Sequence, residues 1–148
     1  MTTNQPAALA RTAEPQLMLR RFLALDAVVT GVNALAYLAF SGPLGRFLGA
    51  GSGLLLGLGA FLAVYAGCVA LLAAHPRPPA LGVRAVVDAN LVWAAVSFVA
   101  LALWLTPTTA GAAWTVLQAL TVAGFALLQY AALNGPSRGV IAKSGSPR

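Results

Sequence analysis

Charged and redox-active side chains are scarce in this 148-residue chain. Only 8% of its residues are charged, whereas a soluble domain carries about 25%. Cys68 is the only cysteine, which excludes an intramolecular disulfide and a dithiol redox site. His75 is the only histidine, so one chain cannot supply two histidine ligands to a haem iron. These shortages argue against a soluble globular domain and against thiol or haem chemistry.

Sequence motifs of familiar enzymes are also missing. The chain has no Walker motif, no Gly-rich nucleotide fingerprint, no nucleophile elbow and no HExxH. We therefore expect no enzyme activity, no catalytic, cofactor-binding or metal-binding residues, and no cofactor. A lipid-modifying enzyme built around Asp26 stays open, although no motif argues for it.

Apolar residues dominate instead, at 59% of the chain with a mean hydropathy of +0.83. They form four long runs, at residues 22–40, 54–74, 85–105 and 112–133. Each run can cross a hydrocarbon core of about 30 Å at about 1.5 Å per residue. We therefore predict an all-α polytopic membrane protein, a four-helix transmembrane bundle over residues 20–134. Residues 1–19 and 135–148 are expected to be mobile cytoplasmic tails.

The basic residues predict how the bundle is oriented. The net charge is +6, and eight of the nine basic residues fall on the side of the two termini, with only Arg46 on the other. Such a bias favours cytoplasmic termini. Arg, Ala, Gly and Leu are abundant, as in GC-rich bacteria, so we expect the bacterial inner membrane. The expected partner of the basic residues is the lipid bilayer, because no basic stripe with interleaved aromatic residues indicates nucleic-acid binding.

A polar stripe on the first helix is the best candidate for chemistry. Its residues are spaced four, three and four apart, so they share one helix face. Polar groups are costly in hydrocarbon, so this face should turn into the bundle. It serves either interhelical packing or a proton, ion or ligand path. The candidates are Asp26, Thr30, Asn33 and Tyr37 on this helix, with Asn90 and Ser97 on the third and Gln118 and Thr121 on the fourth.

Both acids within the apolar runs lie near the start of a helix, where the helix dipole stabilises a carboxylate. Arg84 and Asp88 are four residues apart and are expected to form an interfacial ion pair. Asp26 can pair in a similar way with Arg20 or Arg21, which is the alternative to a functional role. The similar openings of helices one and three also raise the possibility of two helical-hairpin repeats.

Two further patterns bear on packing and depth. Gly59, Ala63 and Gly67 step by four, which suits either close packing within the chain or the face of a homodimer. Trp104 and Trp114 flank the short connection between helices three and four. We expect them to belong to an aromatic belt at one membrane interface.

From Arg20 to Asn134 the layout and composition resemble those of the small four-helix integral membrane proteins of GC-rich bacteria. In size and helix number the chain is also similar to small multidrug transporters, whose first helix carries a membrane-embedded acid. Asp26 is the position that matches it, as Asp rather than Glu and near the inner boundary. We expect a non-enzymatic protein, structural or accessory to a membrane partner or forming a homo-oligomer. The alternative is a small transporter or proton-coupled carrier that uses the helix-one stripe.

Overall fold

The computed structural model describes residues 5–103 and 105–135, with side chains from Glu14 onward. Its four helices are α1 (Gln5–Leu48), α2 (Ser52–Ala74), α3 (Ala80–Leu103) and α4 (Thr109–Leu133), and no strand occurs in the described part. All four are long and apolar enough to cross a membrane. The prediction of an all-α, four-helix membrane bundle is confirmed.

Helix α1 is longer than expected at both ends. Residues 5–19, expected to be a mobile tail, are helical, and Leu19 is buried in the core. Residues 41–48, expected to be a loop, also continue the helix after non-helical backbone angles at Phe40. Pro43 explains this break, because a proline ring crowds the carbonyl group four residues earlier. The helix therefore kinks where it was expected to end.

The other helix bounds differ by a few residues. α2 and α4 begin two and three residues earlier than predicted, and α3 covers 80–103 instead of 85–105. Trp104, half of the expected aromatic belt, lies outside the described residues, as do residues 136–148 with their three basic side chains.

The helices form a ring in which α1 packs against α2 and α4, and α4 packs against α3. Within the described residues, no Cα atom of α1 comes within 8 Å of one in α3, so these two helices are diagonal. α2 and α3 are joined by a short connection but approach closely at few positions. The bundle therefore consists of two packed hairpins with one loose side, between α2 and α3.

The end that carries the α1–α2 and α3–α4 connections, here the two-loop end, is tied together by hydrogen bonds. Thr108 caps α4, since its hydroxyl oxygen accepts from the Gly111 backbone N–H at 3.1 Å. The same hydroxyl donates to the Phe47 carbonyl at 2.6 Å. Gly49 has a φ of +71°, and a Cβ there would lie 2.6 Å from the Thr108 backbone nitrogen. This turn therefore requires glycine.

Close packing of α1 against α2 depends on small residues. A Cβ at Gly59 would lie 2.9 Å from Leu38 Cγ and 3.1 Å from the Ala34 carbonyl oxygen. By contrast, a Cβ at Gly57 or Gly67 would meet no atom within 4 Å. Of these three glycines of α2, only Gly59 lies in close contact with another helix.

Candidate functional site

Asp26 lies inside the bundle with 0% of its surface exposed. Thr30 Oγ1, one turn later on α1, donates to Asp26 Oδ1 at 3.2 Å. Asn90 Nδ2 from α3 and Gln129 Nε2 from α4 each donate to Asp26 Oδ2 at 2.8 Å. The carboxyl group therefore connects three helices and is surrounded by neutral donors. We call these four residues the Asp26 cluster.

Tyr65 links the remaining helix, α2, to this cluster. Its hydroxyl lies 3.0 Å from Asn90 Oδ1 and 3.3 Å from the Val86 carbonyl oxygen. Asn90 thus accepts from Tyr65 with its oxygen and donates to Asp26 with its nitrogen, which fixes the orientation of its amide. Side chains of all four helices meet in this network.

Gln129 is only partly satisfied. Its Nε2 donates to Asp26, but its Oε1 is buried and has no partner among the described residues. A buried polar atom without a partner costs about 1–3 kcal/mol. Gln129 Oε1 is therefore the atom of the Asp26 cluster that no described group satisfies.

No arginine side chain that the structure describes forms an ion pair with Asp26. Arg20 Nε instead donates to the Ala73 carbonyl oxygen at the end of α2, at 2.9 Å, where a cation also interacts favourably with the helix dipole. Within the described residues, no cationic nitrogen lies within 4 Å of the Asp26 carboxylate. Of the two alternatives for Asp26, the structure does not show the pair with Arg20 or Arg21.

Asp88 has a different environment from Asp26, although the local sequences around the two residues resemble each other. Asp88 and Arg84 are both exposed on α3, and no ion pair within 4 Å joins these two described residues. Exposed pairs gain little because water screens the charges and two long side chains lose rotamer freedom. The expected interfacial ion pair is thus absent from the structure.

A second polar cluster lies nearer the two-loop end. Tyr37 Oη accepts hydrogen bonds from Trp114 Nε1 at 2.9 Å and from Gln118 Nε2 at 3.0 Å. Tyr37 is 5% exposed, whereas Trp114 is 38% exposed. These three residues, here the Tyr37 cluster, join α1 to α4 and give Trp114 a structural partner in addition to its expected position in an aromatic belt.

The four helices surround an open cavity of about 830 Å³, a volume within the range of about 300–1,000 Å³ found for small-molecule sites. Among the residues that the structure describes, its wall is mostly apolar and holds no charged side chain. Phe61 of α2 and Val92 of α3 line it and are 55% and 61% exposed. Val32 of α1 and Leu117 of α4 also line it and are 63% and 56% exposed, so the cavity is open to the surface of the bundle, which faces lipid in a membrane.

The structure brings six of the eight predicted polar residues to the cavity wall, on all helices but α2. Asp26 lies behind this wall and is bonded to two of its members. Ser97 is half-buried and does not line the cavity. The six residues are Thr30, Asn33, Tyr37, Asn90, Gln118 and Thr121.

Within this set, Asn33 and Thr121 differ in their hydrogen bonding. The Thr121 hydroxyl donates to the Leu117 carbonyl oxygen of its own helix at 2.8 Å, so its proton is already used. The Asn33 amide is half-buried and has no partner among the described residues. Asn33 is therefore the polar group of the wall with the most unused hydrogen-bonding capacity.

Sequence reasoning missed three contributors to the site. Gln129 is eleven residues after Gln118, which is close to three helical turns, so the spacing itself places both on one face of α4. Tyr65 and Trp93 were not predicted as site residues. Their roles depend on how α2 and α3 meet, which no periodicity within one helix reveals.

An aromatic stack crosses the loose side of the bundle. The rings of Phe61 and Trp93 are nearly parallel, with centroids 5.8 Å apart, and Tyr65 extends the stack from Phe61 at 6.4 Å. All three residues line the cavity. Here side chains, and not close backbone packing, connect α2 to α3.

The chemistry of the site is that of hydrogen bonding in an apolar surrounding. Within the described residues, no group of three or more His, Cys, Asp or Glu side chains comes together to hold a metal ion. Comparison of the chain with protein-family models, curated proteins and solved structures finds no match.

Proposed function

We propose that this protein binds a lipid-soluble molecule that enters its cavity from the bilayer. The supporting observation is a wide cavity, about 830 Å³, that lies among membrane-spanning helices and opens toward lipid. A bundle that serves packing alone has no need of such a space, because protein interiors are close-packed. The apolar wall suits a hydrocarbon body.

Filling the cavity tests this proposal. Ala36 lines the cavity, whereas Ala63 of α2 is exposed and does not. In phosphatidylcholine nanodiscs, a photoreactive hexadecanol should label the protein saturably. We expect Ala36→Phe to reduce this labelling about tenfold and Ala63→Phe to leave it unchanged. Labelling that never saturates, or that both variants affect equally, would contradict the proposal.

A proton-coupled carrier is the second candidate, favoured by the double role of Asn90. This residue lines the cavity and also donates to Asp26. A ligand that contacts Asn90 therefore lies one side chain away from a buried carboxyl group. If the protein couples proton movement to ligand movement, Asp26→Asn should keep ligand binding but lose pH-driven flux in proteoliposomes. Undiminished flux in this variant would rule the coupling out.

The location in the bacterial inner membrane with cytoplasmic termini is part of the proposal. Arg20, Arg77 and Arg84 lie at the end where α1 enters the bundle and α2 ends, and Arg46 lies at the other. This bias supports cytoplasmic termini. Terminal fusions should give cytoplasmic fluorescence, and periplasmic phosphatase activity would contradict the orientation.

An accessory role beside a membrane partner, or within a homo-oligomer, remains a prediction. The cavity favours ligand binding over a purely structural role. A ligand-binding protein can also be accessory to a membrane partner. Purification in mild detergent tests the accessory role, which requires a stoichiometric partner. Repeated recovery of the monomer alone would argue against it.

A further inference from the structure

We infer that the cavity selects uncharged lipophiles whose polar end is a hydroxyl, carbonyl or amide group. Asn33 and the Tyr37 cluster would bind this polar end. The inference rests on the proposed binding function and specifies the chemical class of the ligand. It depends on three features of the cavity: the charge of its wall, the unused hydrogen-bonding groups of the Tyr37 cluster, and the unpartnered amide of Asn33.

The first feature is that every described residue in the cavity wall is neutral. A phosphate, carboxylate or ammonium group in this space would lose its water without meeting an opposite charge, which is strongly unfavourable. Asp26 does not change this conclusion. It is fully buried behind Thr30 and Asn90 and already accepts three hydrogen bonds.

The second feature is the hydrogen-bonding capacity left over in the Tyr37 cluster. The Tyr37 hydroxyl, the Trp114 indole and the Gln118 amide carry four donor hydrogens in total. Two of these are used within the cluster, so two donors remain, together with the lone pairs of Gln118 Oε1. Reversing the Gln118 amide changes which atoms are free but not how many. The cluster can therefore both donate to and accept from a ligand.

The third feature is Asn33, one turn before Tyr37 on the same face of α1. Its side chain lines the cavity without a partner in the described part of the chain. An amide in an apolar surrounding without hydrogen bonds is costly. A ligand hydroxyl, carbonyl or amide group would satisfy it, as an alkane could not. Asn33 is therefore the residue expected to distinguish a polar-ended ligand from a plain hydrocarbon.

The experiment compares head groups on one chain length. The full chain in phosphatidylcholine nanodiscs is labelled with photoreactive hexadecanol, and the competitors are hexadecanol, hexadecanamide, hexadecane, hexadecyl phosphate and hexadecyltrimethylammonium. Competitor concentrations are expressed as moles per mole of lipid. Differences in how strongly the compounds partition into the bilayer then do not affect the comparison. We expect the alcohol and the amide to compete about tenfold better than the other three, as one to two hydrogen bonds would give.

Variants assign this preference to a residue. Asn33→Leu should lower the ratio of alcohol to alkane affinity severalfold while alkane affinity is kept, because the hydrogen bond to Asn33 is lost and those to the Tyr37 cluster remain. Thr115→Val is the matched control, since the Thr115 hydroxyl is bonded to its own helix at Gly111 and does not line the cavity. It should retain the wild-type ratio.

The outcomes separate the inference from the function it rests on. Equal competition by all five compounds, or stronger competition by a charged one, would overturn the head-group inference and leave lipophile binding intact. An unchanged ratio in Asn33→Leu would overturn the role of Asn33. Absence of saturable labelling in the wild-type protein would overturn the binding function itself, and the inference with it.

Discussion

Asn90 Nδ2 lies 2.8 Å from Asp26 Oδ2, although α3 and α1 are diagonal in the bundle. The same amide accepts from Tyr65 on α2, across the side where the helices are loosely packed. Side chains therefore connect helices whose backbones stay apart. This arrangement leaves space for the cavity next to Asn90 while it holds the bundle together.

Substitution of Asp26 should show how much this network stabilises the fold. Asp26→Leu removes the acceptor for Thr30, Asn90 and Gln129, so three buried donors lose their partner. We expect a loss of about 2–5 kcal/mol in the free energy of unfolding. Asp26→Asn keeps one oxygen as an acceptor and should cost about 1 kcal/mol. Equilibrium unfolding in mixed detergent micelles measures both.

Asp88→Leu is the control for this comparison, because Asp88 is exposed on α3 and has no ion-pair partner among the described residues. Its effect should stay within about 0.5 kcal/mol. An Asp26→Leu protein as stable as Asp88→Leu would contradict a stabilising role for the cluster.

The two amides of the cluster should differ in importance. Asn90→Leu breaks the bonds to both Asp26 and Tyr65 and should cost about 2–3 kcal/mol. Gln129→Met loses one bond to Asp26 but also removes the unpartnered Oε1, so the two effects offset each other. We expect it to cost less than about 1 kcal/mol. The same unfolding measurement compares the two variants. A larger loss of stability in Gln129→Met than in Asn90→Leu would show that Gln129 Oε1 has a partner in the membrane.

The sequence predicted the membrane spans and most of the polar wall because both depend on patterns within one helix. Thr30, Asn33 and Tyr37 could be assigned to one face from their spacing alone. The kink at Phe40 was missed because an apolar stretch followed by Gly and Pro looks the same whether a helix ends or bends.

What the sequence could not provide is the arrangement of helices relative to each other. Pairing with an arginine was one of two alternatives for Asp26, but Arg20 binds the end of α2 and the acid is bonded to the neutral side chains of Thr30, Asn90 and Gln129. Asp88, in a similar local sequence, is exposed. One acid is buried and the other exposed because of which helix faces point inward. This is a property of the whole bundle.

A methyl group added at Gly59 should weaken the α1–α2 hairpin. Its Cβ would lie 2.9 Å from Leu38 Cγ and 3.1 Å from the Ala34 carbonyl oxygen, so the helices would have to separate. We expect Gly59→Ala to cost about 1–3 kcal/mol of unfolding free energy. Gly57→Ala, which meets no atom within 4 Å, should instead stabilise by up to about 1 kcal/mol through helix propensity. Equal effects of the two variants would contradict the packing described.

The stack of Phe61 on Trp93 should control how fast a ligand enters and leaves. These rings lie between α2 and α3 on the loose side of the bundle, and both line the cavity. Phe61→Ala should raise the association and dissociation rates of photoreactive hexadecanol together, by about tenfold, with less change in affinity. Time-resolved labelling in nanodiscs measures both rates. Phe98→Ala is the control, because Phe98 is exposed on α3 and does not line the cavity. If ligands enter between α2 and α3, removal of the exposed Phe61 ring must lower the barrier to their passage. Unchanged rates in Phe61→Ala would therefore mean that ligands enter elsewhere.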